Sequence, residues 1–278
     1  MYINCKGHLI DLNRPRVMGI LNLTPDSFYD GGKYKSSSEI LRKVEKMLNE
    51  GATFIDIGAY SSRPGAVHIS QDEELKRLLP VLQLVINDFP DALISIDTFR
   101  SHVASEALLS GACMINDISA GSLDQDMFSI IAKHQVPYII MHMVGTPQTM
   151  QQNVQYENLI KDIIFYFSQK VFELRKLGVN DIILDPGFGF SKTLDQNFEL
   201  LQKLELFSGM GLPVLAGLSR KSMLYKLFDL DANRALNATT SANTIALLKG
   251  ANILRVHDVQ EAIETVGIFE KMTNKTSS

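Results

Sequence analysis

Along this chain, short unbroken apolar runs alternate with longer stretches in which apolar residues return every three or four positions. The runs are RVMGILNL (16–23), TFIDIG (53–58), LISIDT (93–98), CMINDIS (113–119), PYIIMHM (137–143), DIILDPG (181–187), PVLAGLS (213–219) and NILRVHD (252–258). Runs without in-and-out alternation suit parallel strands covered on both faces. The stretches between them, such as SSSEILRKVEKMLNEG, SQDEELKRLLPVLQLVI and YENLIKDIIFYFSQKVFELRKLG, carry apolar residues at helical spacing and predict helices. Capping-box spacing supports their starts at Ser36 with Glu39, Ser70 with Glu73, Thr193 with Gln196 and Asp258 with Glu261. Glycine follows them at Gly51, Gly111, Gly178 and Gly250. Eight βα units in 278 residues predict an α/β fold, a closed (β/α)8 TIM barrel in a single domain over 1–278. An open doubly wound sheet is the alternative.

Composition sharpens this picture. The chain is 45% hydrophobic and 21% charged, enough to bury a large core, and no Pro/Ser/Gly-rich or like-charged stretch divides it before the tail TNKTSS. Lys and Arg total 27 against 31 Asp and Glu, a net charge of -4. That balance gives no general electrostatic footprint for nucleic acid or an anionic membrane, so an anion must be bound locally. The start MYINCKGHLIDLNRP lacks the apolar run of a signal peptide, and no segment reads as a membrane span, so a cytoplasmic protein is expected. Cys5 and Cys113 lack metal-ligand spacing, and Cys113 reads as a small core residue.

In a (β/α)8 barrel the active site is built at the C-terminal ends of the strands. Those ends carry Asn22, Asp56, Asp97, Asn116, His142 beside Met141 and Met143, Asp185, Ser219 to Ser222, and Arg255 with His257. Each alone has a bland explanation, since Asp and Asn start turns and a lone His is usually structural. Together they point to a site. Asp97 and Asp185 end apolar strands, where a carboxylate needs donors or a cation. With Asn116 they suit a planar heterocycle bearing several N–H donors. They could also serve as acid and base of a glycosidase, which leaves the cations idle. Those cations, Arg63, Arg220, Lys221, Arg255 and His257, suggest a phosphate-bearing substrate. Arg220 and Lys221 are adjacent, so one is expected to reach inward while the other packs or pairs outside. GFGF (187–190) reads as a tight loop presenting Phe188 and Phe190, and neither a nucleophile elbow nor a P-loop accompanies it. Two long loops, 24–38 and 60–70, hold Phe28, Asp30 and Arg63 and are candidate lids.

Eight blocks carry a family resemblance. They are MGILNLTPDSFYDGG (18–32), SRPGA (62–66), ISIDTF (94–99), INDIS (115–119), MHMVGTPQTMQ (141–151), DIILDPGFGFSKT (181–193), GLSRKSM (217–223) and ILRVHDV (253–259). In this order they resemble the dihydropteroate synthase family over residues 14 to about 270. The resemblance implies a TIM-barrel enzyme of folate synthesis. Such an enzyme joins para-aminobenzoate to 6-hydroxymethyl-7,8-dihydropterin diphosphate with Mg2+, releases pyrophosphate, and works as a homodimer. It implies a pterin grip by Asp97, Asn116, Asp185 and Lys221, with Met141 and Arg255 against the ring faces. It assigns Asn22 to the metal and, with Arg63, Arg255 and His257, to the diphosphate. Phe28, Ser62, Pro64, Phe190, Lys221 and Ser222 would form the aminobenzoate pocket. Asp30, Arg63 and Lys221 would act in catalysis, Asp30 by stabilising a pterin cation.

This chain departs from the family in the second loop. Where the family more often reads G-G-E-S-T-R-P-G, it has GAYSSRPG, with Tyr60 for the acid and Ser62 for Thr. The rival reading is a pterin-binding methyltransferase that moves a methyl group from methyltetrahydrofolate. It shares the barrel and the Asp/Asn grip but has no use for SRPG, SRKS and RVH together. A non-catalytic paralogue would have lost catalytic positions that this chain keeps.

Overall fold

In the computed structural model, residues 1–23, 29–30, 33–34, 37–61, 67–150 and 154–273 are described. The chain opens with a hairpin, β1 (Tyr2–Cys5) and β2 (His8–Asp11), then enters β3 (Arg16–Asn22). A short antiparallel pair, β4 (Tyr29–Asp30) and β5 (Lys33–Tyr34), precedes α1 (Ser37–Asn49). Strand and helix then alternate through β6 (Phe54–Gly58), α2 (Gln71–Asp88), β7 (Leu93–Asp97) and α3 (Ser101–Leu109). They continue through β8 (Met114–Asp117), α4 (Met127–His134), β9 (Tyr138–Met141), α5 (Leu159–Lys176) and β10 (Ile182–Asp185). The chain ends with α6 (Leu194–Gln202), β11 (Leu215–Ala216), α7 (Ser222–Tyr225), α8 (Leu236–Leu248), β12 (Ile253–Val256) and α9 (Val259–Met272).

Eight strands form one parallel sheet in the order β10-β9-β8-β7-β6-β3-β12-β11. A parallel bridge between Leu184 and Val214 joins β10 to the segment leading into β11, so the two ends meet and the sheet closes. The open doubly wound alternative is excluded by that closure.

Period-two alternation then sorts each strand between two apolar layers. Ile55, Ile57, Ile94, Ile96, Ile115, Ile140 and Leu184 join the large cluster between sheet and helices. Met18, Phe54, Met114, Ile139, Ile183, Leu215 and Ile253 fill the barrel floor with Ile3, Cys5 and Leu12 from the N-terminal segment. Two residues past those floor positions the same inner face carries Asp56, Asn116, Met141, Asp185 and Arg255. The apolar runs therefore hide a second pattern, an apolar floor residue followed by a polar or sulfur-bearing mouth residue.

The hairpin was not foreseen. It plugs the barrel floor: Ile3 and Cys5 are buried, and the Asn4 amide donates to Asp181 Oδ2 at 2.9 Å. Its sequence signal is Lys6-Gly7, both with positive φ (52° and 83°), which makes the tight turn of a two-residue hairpin between two short runs. Both cysteines are free and buried.

Every run overshoots the strand it forms, and two show why. CMINDIS ends at Asp117 because that carboxylate turns back to accept from Ser119 N, Gly121 N and Tyr138 Oη at 2.6 to 2.7 Å. PVLAGLS pairs as a strand only at Leu215–Ala216, and Arg220 adopts a left-handed φ of 55° that turns the chain. The Thr193/Gln196 capping box is complete. Ser70 caps α2, but Glu73 bonds Arg77 instead of closing the box. Asp258 makes no side-chain cap bond and serves Arg220. Ser36 lies outside the described residues.

Candidate active site

Asp97 pairs in register with Asn116 on β8 and with Gly58 on β6, which pairs with Asn22 on β3, so these four positions form one level of the barrel mouth. Asp185 stands opposite Met141 on β9. Arg255 sits lower, level with Met18 and Phe54, and its long side chain climbs to the carboxylates. Its Nε donates to Asp56 Oδ2 and its Nη2 to Asp97 Oδ2, both at 2.6 Å. Asn116 Nδ2 donates to the same Asp56 oxygen at 3.0 Å. Asp56 is fully buried, and its Oδ1 has no hydrogen-bond partner among the described residues. Asp56 was recognised as a strand-end residue but given no role, although it shares the inward face of Phe54.

Burial sets the electrostatics. It pushes the Asp97 carboxyl up to about 7 against the pull of Arg255. It raises Asp185 too, opposed mainly by Lys221. The Lys221 ammonium is pushed down to about 8 by burial, with Asp185 working the other way. The mouth thus holds Asp97 and Lys221 close to their switching points beside a permanently charged Arg255, the environment expected of a functional site.

Arg220 and Lys221 separate as expected. Arg220 forms a bidentate pair with Asp258, Nε to Oδ2 at 2.8 Å and Nη2 to Oδ1 at 2.7 Å, and donates to the carbonyls of Ala232 and Asn233. Lys221 donates from Nζ to the Phe188 carbonyl, and its Nζ stands 4.6 Å from the Phe190 ring centroid. Ser222 is exposed and opens α7. Phe188 is not presented to the mouth: it is fully buried in the cluster behind the sheet. Phe190 instead packs with Met141, Met143, Met150, Ile118 and Phe99 in a small apolar cluster.

Two histidines differ from expectation. His257 was counted among the cations, yet burial first and Arg255 second push it down to about 4, so it is neutral at pH 7 in the free protein. Its Nδ1 meets Ser219 Oγ at 3.0 Å. It lines a cavity with Lys43 and Lys46 of α1 and the start of α9. His142 follows inward-facing Met141 and is 3% exposed, packed edge-on against Tyr166 at 5.0 Å. It lies behind the mouth.

Tyr60 replaces the acid of the family pattern and gains its own partners. Its hydroxyl meets His68 Nδ1 at 3.1 Å and accepts from Gln148 Nε2 at 2.9 Å. Arg100 lies over its ring at 5.4 Å, pairs with buried Glu74 and donates to the Ile69 carbonyl at 2.7 Å. This network joins the stems on either side of residues 62–66 to the segments after β7 and β9. Phe28, Ser62, Arg63 and Pro64, and the side chain of Asp30, lie outside the described residues, as do most of the first candidate lid and residues 62–66 of the second. Among the described residues no three His, Cys, Asp or Glu side chains form a metal-holding group, and no helix is long and apolar enough to cross a membrane.

A family model described as "Pterin binding enzyme" matches residues 18–257. A dihydropteroate synthase from Haemophilus influenzae is 42% identical over 276 residues, 99% of each chain. The chain belongs to the dihydropteroate synthase family. Solved structures of dihydropteroate synthases agree. The Yersinia pestis enzyme with a sulfonamide drug complex superposes with a TM-score of 0.92 at 39% identity, covering 99% of this chain and 100% of that one. The Thermus thermophilus dihydropteroate synthase in complex with 4-aminobenzoate does so with a TM-score of 0.88 at 35% identity, covering 98% and 100%. The expected fold and enzyme class are therefore established, and the methyltransferase and non-catalytic readings fall away.

Proposed function

We propose that this dihydropteroate synthase joins para-aminobenzoate to 6-hydroxymethyl-7,8-dihydropterin diphosphate by a dissociative substitution, carried by the ring of Asp56, Asp97, Asn116, Asp185, Lys221 and Arg255. The observation behind it is one barrel mouth that gathers carboxylate acceptors, an amide able to give and take, and a desolvated ammonium. The aminopyrimidine edge of a pterin supplies N–H donors for Asp97 and Asp185, while Asn116 and Lys221 meet its carbonyl and ring nitrogens. Met141 and Arg255 lie against its faces.

The exocyclic methylene C–O bond breaks, its electron pair leaves with pyrophosphate, and the pterin ring delocalises the positive charge. The arylamine nitrogen then forms the C–N bond and gives its proton to solvent. The carboxylates favour the cation, with Asp30 assigned the same task. No strong base or covalent nucleophile is needed. Arg63, Arg255 and His257 are assigned to the diphosphate, and an incoming anion would raise the His257 pKa and charge it. Phe28, Ser62, Pro64, Phe190, Lys221 and Ser222 are assigned to the aminobenzoate.

The donor set fits a substrate-borne metal: Asn22 supplies a single amide oxygen, and Mg2+ typically takes only one or two protein ligands beside phosphate oxygens and water. Bound there, Mg2+ would neutralise charge on the departing diphosphate. A homodimer is also proposed, supported by exposed Ile245, Leu248, Ile268 and Met272 on neighbouring α8 and α9.

Pyrophosphate release tests the reaction. It should require the dihydropterin diphosphate and Mg2+, accelerate with aminobenzoate, and stop with EDTA. Release that ignores aminobenzoate would overturn the substitution reading.

A further inference from the structure

GFGFSK (187–192) wraps a half-buried lysine, Lys221, and a fully buried one, Lys192, and only Lys221 has been given a task. Lys192 is 3% exposed. Its Nζ donates to the carbonyls of Gly187 at 2.9 Å and Phe190 at 3.0 Å, and meets His142 Nδ1 at 3.1 Å. Burial, with Lys192 second, pushes His142 down to about 2, so its ring is neutral and Nδ1 accepts. An ammonium has three protons, and here it meets three acceptors. The geometry selects the charged form.

The same loop presents site groups. The Gly187 amide donates to Asp185 Oδ1 at 2.8 Å, the Phe190 amide to the Gly187 carbonyl at 3.1 Å, and the Gly189 amide to Asn197 Oδ1 at 2.6 Å. The Phe188 carbonyl accepts from Lys221, and the Phe190 ring lies beside that same ammonium. The carbonyls that Lys192 fixes therefore flank the residues that orient Lys221.

We infer that Lys192 is a positioning residue for the second substrate: its buried ammonium holds the Gly187–Phe190 loop, and through it Phe190 and Lys221, in the shape aminobenzoate meets. This rests on the proposed assignment of Phe190 and Lys221 to the aminobenzoate pocket. Loss of the proton leaves the amine two N–H donors, takes away the charge that strengthens its contacts to both carbonyls, and loosens the loop.

The surrounding groups place that loss near neutrality. Burial pushes the Lys192 pKa down to about 7, with Asp185 raising it and Lys221 lowering it. The other titratable groups of the shell stay neutral there. They are His142; Tyr156, which donates to the Ser191 carbonyl and is pushed up to about 12; and Tyr166, raised by burial.

Steady-state kinetics reads the consequence. From about pH 6 to about pH 7.5, below the midpoint for Lys221, the KM for aminobenzoate should rise about threefold, opposite in sign to the change that ionisation of Asp97 brings to the dihydropterin diphosphate. Lys192→Gln should have the high aminobenzoate KM already at about pH 6, roughly tenfold above wild type, and be flat across that window. A wild-type KM in the variant, or an unchanged pH dependence, would overturn the inference. Should Lys192→Gln not fold, hydrogen exchange of the wild-type amides at Gly189 and Phe190 decides. Protection corrected for intrinsic exchange should fall over the same window, and constant protection would sink the idea. This arm needs no substrate. An active synthase with a pH-independent loop removes the inference alone, whereas a protein without turnover removes the proposed reaction and leaves the loop result readable.

Discussion

Asp97 and Lys221 carry opposite charges, and burial brings both close to neutrality, to about 7 and about 8. The proposed pterin grip needs Asp97 ionised and Lys221 protonated. In pH-rate profiles kcat/KM for the dihydropterin diphosphate should therefore climb through about 7 and decline beyond about 8, the two limbs belonging to the coupled set. A flat profile from about pH 6 to about pH 9 would contradict this. The stability signs differ. The raised Asp97 pKa favours folding in acid, and that contribution is lost as pH rises through about 7. The lowered Lys221 pKa works the other way: its contribution is present above the ordinary lysine value and lost as pH falls through about 8. Removing a desolvated ammonium should therefore spare the fold. Lys221→Ala is expected to cut turnover at least tenfold, roughly 1.4 kcal/mol, with a melting temperature within a few degrees of wild type; wild-type turnover would place Lys221 outside the site. Asp97, Asn116, Asp185 and Arg255 were legible as polar ends of apolar strands. His257's charge was not, because burial beside Arg255 decides it. Lys192 was not singled out in the sequence, and only the folded chain brings the Gly187 and Phe190 carbonyls and His142 around it.

At the scale of elements, the GFGF loop explains its two glycines. Gly187 has φ 76°, and a Cβ there would lie 2.2 Å from the His142 carbonyl oxygen. Gly189 has φ 78°, with Lys221 Cδ 3.1 Å from where its Cβ would stand. Gly187→Ala should destabilise the protein by about 1–3 kcal/mol or more, through strain and backbone clash, measured as a drop in the urea midpoint. An unchanged midpoint would mean that the loop is not held as described. Strands and helices were readable here because each run and stripe buries one defined face. Their ends were less so: Glu73 turns to Arg77 along its own helix and Asp258 to Arg220 instead of closing the capping boxes their spacing suggested, and Asp117 folds the chain after β8 back on itself. Tyr60 belongs to the same class: sequence marks it as a departure, and only folding supplies His68, Gln148 and Arg100 around it.

The whole molecule is a barrel whose two ends do different work. The floor is sealed by Ile3, Cys5 and Leu12, leaving the opposite mouth to hold its charges on a rigid ring. Closure was legible in the count of eight runs, whereas the plug was not, because two four-residue strands carry too little pattern to stand out. Exposed apolar side chains on α8 and α9 lead to one expectation at this scale: light scattering should give a mass near twice 31.0 kDa. A monomer at micromolar concentration would remove the dimer. The proposed reaction makes a C–N bond at the barrel mouth at the expense of a diphosphate. The direct measurement is chromatography of the product from purified protein, Mg2+, dihydropterin diphosphate and isotopically labelled aminobenzoate. Labelled 7,8-dihydropteroate should appear in equal amount to pyrophosphate, and a folded protein that forms none above background would contradict that reaction.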